Sequence, residues 1–259
     1  MTPPPSSVAV ATAALALFLA APATAEDEAD TGTLQPTAVE AAAAMGERLR
    51  ALDAFTIEAT ISTEEVLVSG EKLLHVEQVS ADVDPPHRLR VERRSPGRER
   101  VFLYDGTQAV LWGPITRYFT TVAFEGNLTE LVGKTAEIYD YHVPLADLFL
   151  WGTRAADLER ITGAHYVGAD YLGDRVCNHY AFRQEGFDWQ LWIDTAEGGL
   201  PCAYRITDLS DPAHPSFAAT LTVETGALLD DNRFTFAVPR DAVEIPFQAV
   251  AAAQADSKE

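Results

Sequence analysis

The side chains that could do chemistry gather between Gly173 and Ile206, where Cys177, His179, Asp188, Asp194 and Cys202 fall within one short span. Thiols, an imidazole and carboxylates are the donors of a zinc site, and a thiol beside an imidazole is the pairing of a nucleophilic centre. Cys177-x-His179 puts both side chains on one face of a strand, with Cys202, Asp194 and His165 as further donors from neighbouring segments. The spacing argues against both chemistries. Structural zinc sites draw on paired Cys-x-x-Cys or His-x-x-x-His ligands, and the chain has neither. Residues two apart on a strand stand about 7 Å from each other, too far for a direct hydrogen bond. Asp140 with His142 makes no better dyad, and no Gly-x-Ser-x-Gly elbow or phosphate-cradling glycine loop is present. The expectation is therefore no catalytic residue, no metal and no cofactor.

The same span shows which elements would hold these groups. It reads as three short strands joined by turns at Gly186 and at Gly198-Gly199-Leu200-Pro201, a β-meander. The strand Asp188 to Asp194 lies between the strands that carry the two cysteines. Neighbouring strands run about 4.8 Å apart. Next-but-one positions are then near twice that, beyond the roughly 7 Å Cα separation a disulfide tolerates. Two free, half-buried thiols are expected, although an exported chain permits a bridge.

Outside the meander, Val39, Ala42, Met45, Leu49 and Leu52 recur at helical spacing, and Pro36 suits a first turn, so an amphipathic helix is expected from Pro36 to about Asp53. Strict alternation follows, with Phe55, Ile57, Ala59 and Ile61 opposite Thr56, Glu58, Thr60 and Ser62. Period-two segments continue through Glu71 to Val83, Arg88 to Arg94, Arg98 to Tyr104, Gln108 to Trp112 and Ile115 to Phe124, and Asp105-Gly106 is the strongest hairpin signal. Asn127 with Glu130 forms a capping box for a helix carrying Leu128, Leu131, Thr135 and Ile138. A second helical piece starts at Pro144, and a short polar helix spans Thr153 to Arg160. Strands then resume from His165, with the last expected over Arg233 to Val238. No βαβ spacing repeats, so the fold class is α+β. One strongly curved antiparallel sheet of roughly ten to twelve strands takes an N-terminal helix and a helical insert against it.

The first 25 residues carry no charge, hold an apolar core from Val8 to Ala21 and end in Ala23-Thr24-Ala25 before the acidic run Glu26-Asp27-Glu28. This is the pattern of an export signal cleaved after Ala25, although the n-region lacks Lys and Arg. The apolar stretch is short for a span. A periplasmic protein without a stable membrane span after processing is expected, with residues 26–35 a disordered acidic leader, 36–247 a single domain and 248–259 a frayed tail. The formal charge of −20 belongs wholly to the region after the signal. Such a charge argues against nucleic acid and anionic membrane surfaces as partners.

Several phrases then carry a resemblance. They are Tyr104-Asp105-Gly106, the runs Val143 to Phe149 and Val176 to Arg183, Asp188-Trp189-Gln190-Leu191-Trp192-Ile193, and the closing Phe234-Thr235-Phe236 with Ile245-Pro246-Phe247. In these the chain resembles the predicted periplasmic proteins of domain-of-unknown-function family 2092, over about Pro36 to Phe247. The resemblance implies a LolA-like fold, that of the outer-membrane lipoprotein carriers and receptors: an open half-barrel whose concave apolar face is closed by helices. It implies a compartment and no catalytic residue, and function does not follow from fold.

Two surfaces remain as candidates for binding. Trp112, Tyr118, Phe124, Phe149, Trp151, Tyr180, Phe182 and Trp192 fall on strands and on the helices that would cover them. They either fill an ordinary core or line a cavity for an apolar ligand, a lipid or a lipoprotein acyl chain. Arg88, Arg90, Arg93, Arg94, Arg98 and Arg100 cluster within an acidic chain. They pair with Glu92 and Glu99, or Arg90, Arg93 and Arg98 form a docking patch for an acidic partner or a lipid headgroup. The leading expectation is a non-enzymatic exported binding protein. An envelope sensor or protein-interaction module comes next, then a hydrolase of unrecognised type.

Overall fold

The computed structural model describes residues 34–247 except 140, 146, 151–157 and 197, and of residues 147 and 149 it describes the backbone only. The expected signal segment, most of the leader and the tail lie outside these residues, as does the expected helix from Thr153 apart from a 3₁₀ turn at Leu158–Arg160.

Helix α1 (Pro36–Arg50) buries Ala38, Ala42, Met45 and Leu49 along one stripe, and the small Ala38 and Ala42 let the axis lie close to the sheet beneath. Next come β1 (Phe55–Val66), β2 (Lys72–Asp84), β3 (Arg88–Ser95), β4 (Arg98–Tyr104), β5 (Gln108–Gly113) and β6 (Tyr118–Ala123). Helices α2 (Leu128–Tyr139) and α3 (Asp147–Leu150) follow, then β7 (Ile161–Leu172), β8 (Arg175–Gln184), β9 (Phe187–Asp194), β10 (Pro201–Asp208), β11 (Ser216–Thr225) and β12 (Val243–Glu244). All belong to one sheet ordered β12-β6-β5-β4-β3-β2-β1-β11-β10-β9-β8-β7. The sheet is large, open and curved, with β12 and β7 as its edges. It is mixed rather than wholly antiparallel, because β12 runs parallel to β6.

Alternation decides which face is covered. The register sets Ile57 against Ala81 and Val223, and Ala59 against Val79 and Leu221, so one face is continuously apolar across the centre. The three helices lie on this concave face, where Leu128, Leu131, Val132 and Leu148 join α1 and the strands in a single core. The capping box at α2 forms as expected: Glu130 N donates to Asn127 Oδ1 at 3.0 Å and Asn127 N to Glu130 Oε2 at 2.9 Å.

Three expectations need correction. Arg233 to Val238 is not a strand. Asp231–Arg233 is a 3₁₀ turn capped by Asp230, and the Phe234, Phe236 alternation packs side chains onto the convex face instead of pairing backbone. The segment expected as a strand from Ile115 first turns at Thr116 and Arg117, where Arg117 N donates to Gly113 O, and pairs only from Tyr118. Of the expected disordered leader, Leu34 and Gln35 are held against β7, with Gln35 N donating to Ala164 O at 2.7 Å.

Candidate functional site

The meander of β8, β9 and β10 holds its reactive groups in unreactive form. Cys177 and Cys202 form a disulfide with their Cα atoms 6.6 Å apart, so the expectation of free thiols is overturned. Strand β9 does run between them, but it ends at Asp194, opposite Cys177, and Cys202 sits in a bulge between Pro201 and Ala203. The bulge breaks the even spacing of the strands, and the bridge closes across the last residues of β9. Cys177, Cys202 and the buried Asp194 lie within 4.8 Å of one another. With both sulfurs in the bridge, only a carboxylate remains as a ligand there. His179 has both ring nitrogens occupied, by Asp170 at 3.1 Å and Gln190 at 3.0 Å, and stacks on Trp192. His165 stands opposite Ala181, four residues along the ladder from Cys177. Ser69-Gly70-Glu71-Lys72 is a Ser-x-x-Lys run, a spacing that in other folds marks a nucleophile and its base. It occupies the exposed β1–β2 turn, where Ser69 Oγ donates to Glu71 and Lys72 Nζ to Glu64, so the pair does not form a nucleophile and base.

Open space lies in the other half of the sheet. Between the concave face of β4–β6 and α2 is a cavity of about 140 Å³, floored by Phe102, Ala109, Leu111, Thr120 and Val122 and roofed by Leu131, Thr135 and Ile138. Tyr104 fixes the segment that enters the roof. Its hydroxyl donates to Gly126 O at 2.6 Å and accepts from Gly126 N at 3.1 Å, and burial pushes its pKa up. Gly126 has no room for a side chain, since a Cβ there would meet the Phe124 ring at 2.8 Å. Phe124 closes one side beneath the Lys134 ammonium, 5.3 Å from the ring centre.

Phe247 closes another side. The C-terminal segment crosses the convex face, where Arg233 pairs with the buried Asp82 and Phe236 covers Trp112 and Phe119. It then rounds the sheet edge as β12 and stacks Phe247 on Tyr139, ring centres 4.3 Å apart, and edge-on to Tyr141. A separate cleft of about 410 Å³ lies between Leu49, Arg50, Pro85, Pro86 and the start of α2. Its polar rim includes the capping pair Asn127 and Glu130, already bonded to each other.

Of the eight aromatic candidates, the six whose side chains are described divide between the two faces. Phe124 lines the cavity; Tyr180 and Phe182 belong to the concave core, Phe182 stacked at 3.8 Å on Trp189. Tyr118 points to the concave side at the outer end of β6 and is half exposed. Trp112 and Trp192 lie on the convex face, Trp112 under Phe236 and Trp192 against His179 and Asp170, and neither reaches the cavity. Trp151 and the Phe149 side chain lie outside the described residues. The docking patch divides in the same way. Arg90 is convex and bound to Glu92 and the Arg233 carbonyl, whereas Arg93 and Arg98 are concave, Arg93 paired with Glu77. Strand pairing, rather than closeness in sequence, groups them.

The profile of a family described as predicted periplasmic protein, DUF2092, matches residues 38–248. The chain belongs to this family. A search of curated proteins returned no match. Among solved structures, this DUF2092 protein is similar to LprF from Mycobacterium bovis at 10% identity, with TM-score 0.42, over 82% of this chain and 100% of that one. It is similar to the lipoprotein LppX from Mycobacterium tuberculosis at 9% identity, with TM-score 0.40, over 76% and 100%. A LolA superfamily protein from Nitrosomonas europaea is similar at 11% identity, with TM-score 0.30, over 79% and 98%. At these identities and scores the likenesses assign no ligand to the DUF2092 chain. No helix among its described residues is long and apolar enough to cross a membrane.

Proposed function

We propose that this protein is a non-enzymatic exported carrier that holds an apolar ligand, a lipid or the acyl chain of a lipoprotein, between the β4–β6 floor and α2. The observation that carries this reading is the cavity itself, unfilled space walled by aliphatic and aromatic side chains with few polar groups. At about 140 Å³ it would hold a benzene-sized group. Small-molecule sites run to about 300–1,000 Å³, so a whole chain enters only as the roof lifts. The attachments of α2 suit that motion. Its N-terminus is held by the capping box, by Gly126 on Tyr104 and by Leu128 N on Pro86 O, whereas its C-terminal end meets the strap through the Phe247 ring stack. The test is native mass spectrometry of the protein purified from a periplasm, with uptake of a fluorescent fatty acid. A bare chain mass together with no uptake would sink the reading.

A second reading, an envelope protein-interaction module, has one observation of its own. Pairing with β11 stops at Thr63 and pairing with β3 at Gln78, so the β1–β2 ribbon projects beyond the sheet with Val68, Leu73, Leu74 and Val76 exposed. A pulldown in which Leu74→Asp loses a captured envelope protein and Phe247→Ala does not would favour it.

A further inference from the structure

The register places a cationic row directly beside the cavity floor. Val91, Phe102, Leu111 and Thr120 face one another across β3–β6, and the last three of them line the cavity. The next concave row, two residues further along each strand and so about 7 Å away, is Arg93, Arg100, Gly113 and Tyr118, and Arg98 stands one step beyond. Arg93 pairs with Glu77, which also accepts from Ser95. Arg98 and Arg100 make no ion pair among the described residues, and Arg100 donates only to the Glu99 carbonyl. Gly113 makes room for this group: a Cβ there would lie 3.2 Å from an Arg100 guanidinium nitrogen and 2.4 Å from Thr116 Oγ1. Tyr141, stacked on Phe102 of the floor at 5.7 Å, bridges the two rows. Burial pushes its pKa up to about 12, and the charged groups acting on it, Arg93 and Arg100, are both cationic.

We propose that the ligand of this cavity is an anionic amphiphile, its chain on the Phe102–Leu111–Thr120 row and its carboxylate or phosphate head on Arg98 and Arg100. The proposal rests on the carrier reading. Guanidinium groups suit such a head because their planar fork meets two oxygens at once. The charge of the chain as a whole opposes the proposal, since a net −20 repels anions and attracts cations. An anionic preference would therefore have to come from a local site. Lys134 is the other cation at the cavity, and it sits over the Phe124 ring, outside the arginine row.

The experiment is titration of the whole protein with amphiphiles of one chain length below their micelle concentrations: dodecanoate, dodecyl phosphate, dodecanol and dodecyltrimethylammonium. Charge-assisted hydrogen bonds contribute about 1.5–3 kcal/mol, so at least one anion should bind roughly tenfold or more tighter than the alcohol. The ratio between dodecanoate and dodecyl phosphate identifies the head. In Arg98→Ala/Arg100→Ala the preference should fall to about threefold or less while alcohol binding stays the same, and Lys134→Ala should leave the ratio unchanged. Alcohol or ammonium binding as tight as the anions, or a ratio indifferent to the arginine pair, would overturn the headgroup assignment and leave the carrier reading standing. If none of the four binds, both fail.

Discussion

The two wings of this sheet solve the same packing problem in opposite ways. On the β8–β10 wing the concave face is filled: Phe182 lies on Trp189, Leu191 and Tyr204 are fully buried, and a disulfide ties the wing's outer strand to its inner one. On the β4–β6 wing the floor is equally apolar, but the roof stands off it and leaves a cavity, and the cover is a strap closed by a ring stack. A filled and cross-linked wing resists opening; on the carrier reading proposed above, the hollow wing under its strap is the one that opens. The fold thus joins a filled half and a hollow half within one hydrogen-bonded sheet.

Substitutions on the filled wing should cost stability and spare binding. Trp189→Ala removes a buried ring from the stack and should cost about 3–5 kcal/mol by urea unfolding, with ligand affinity unchanged in whatever fraction remains folded. Next in size is Cys177→Ala/Cys202→Ala. The bridge joins residues 25 apart, and releasing that constraint on the unfolded chain should cost about 3 kcal/mol. A loss in ligand affinity larger than the loss in stability, for either variant, would erase the distinction between the wings.

What could be read from the sequence follows the same division. Alternation in Phe55 to Ile61, the Asp105-Gly106 turn and the Asn127/Glu130 box are local signals whose physics is complete within a few residues, and each appears where expected. The disulfide is not legible because the spacing of ideal strands excludes it. A bulge at Cys202 and the end of β9 at Asp194 depend on how three strands meet. The aromatic candidates were sorted by residue type, whereas the face that each occupies depends on register. Phe247 ends the expected domain, and its place beside the cavity follows from the C-terminal segment rounding the sheet edge, a path no local pattern encodes.

Phe247→Ala is the reciprocal test on the hollow wing. The ring is half buried, so its loss should cost about 1–2 kcal/mol, less than either change on the filled wing. Its larger effect should be kinetic. With the stack on Tyr139 gone, uptake of a fluorescent fatty acid in stopped flow should become faster, and release faster still. Uptake at the wild-type rate would show that the strap does not gate the cavity.

The smallest effect concerns how the hollow floor is held in register. Asp105 caps the β4–β5 turn: its Oδ1 accepts from the backbone of Thr107 and Gln108, each at 2.9 Å, and from the Thr107 hydroxyl at 2.8 Å. Burial pushes its pKa up, but these hydrogen bonds outweigh it and hold the carboxyl below its usual value. A carboxyl whose folded pKa is depressed stabilises the fold above the unfolded value of about 3.9, and that contribution is lost as pH falls through the lower folded value. Asp105→Asn keeps an acceptor oxygen but no charge. It should therefore cost up to about 1 kcal/mol in urea unfolding at pH 7 and progressively less in strong acid. An equal cost at both pH values would mean that the turn is held by shape alone. A cost that vanishes in acid would place the charge of Asp105 among the forces that align β5 beneath the cavity.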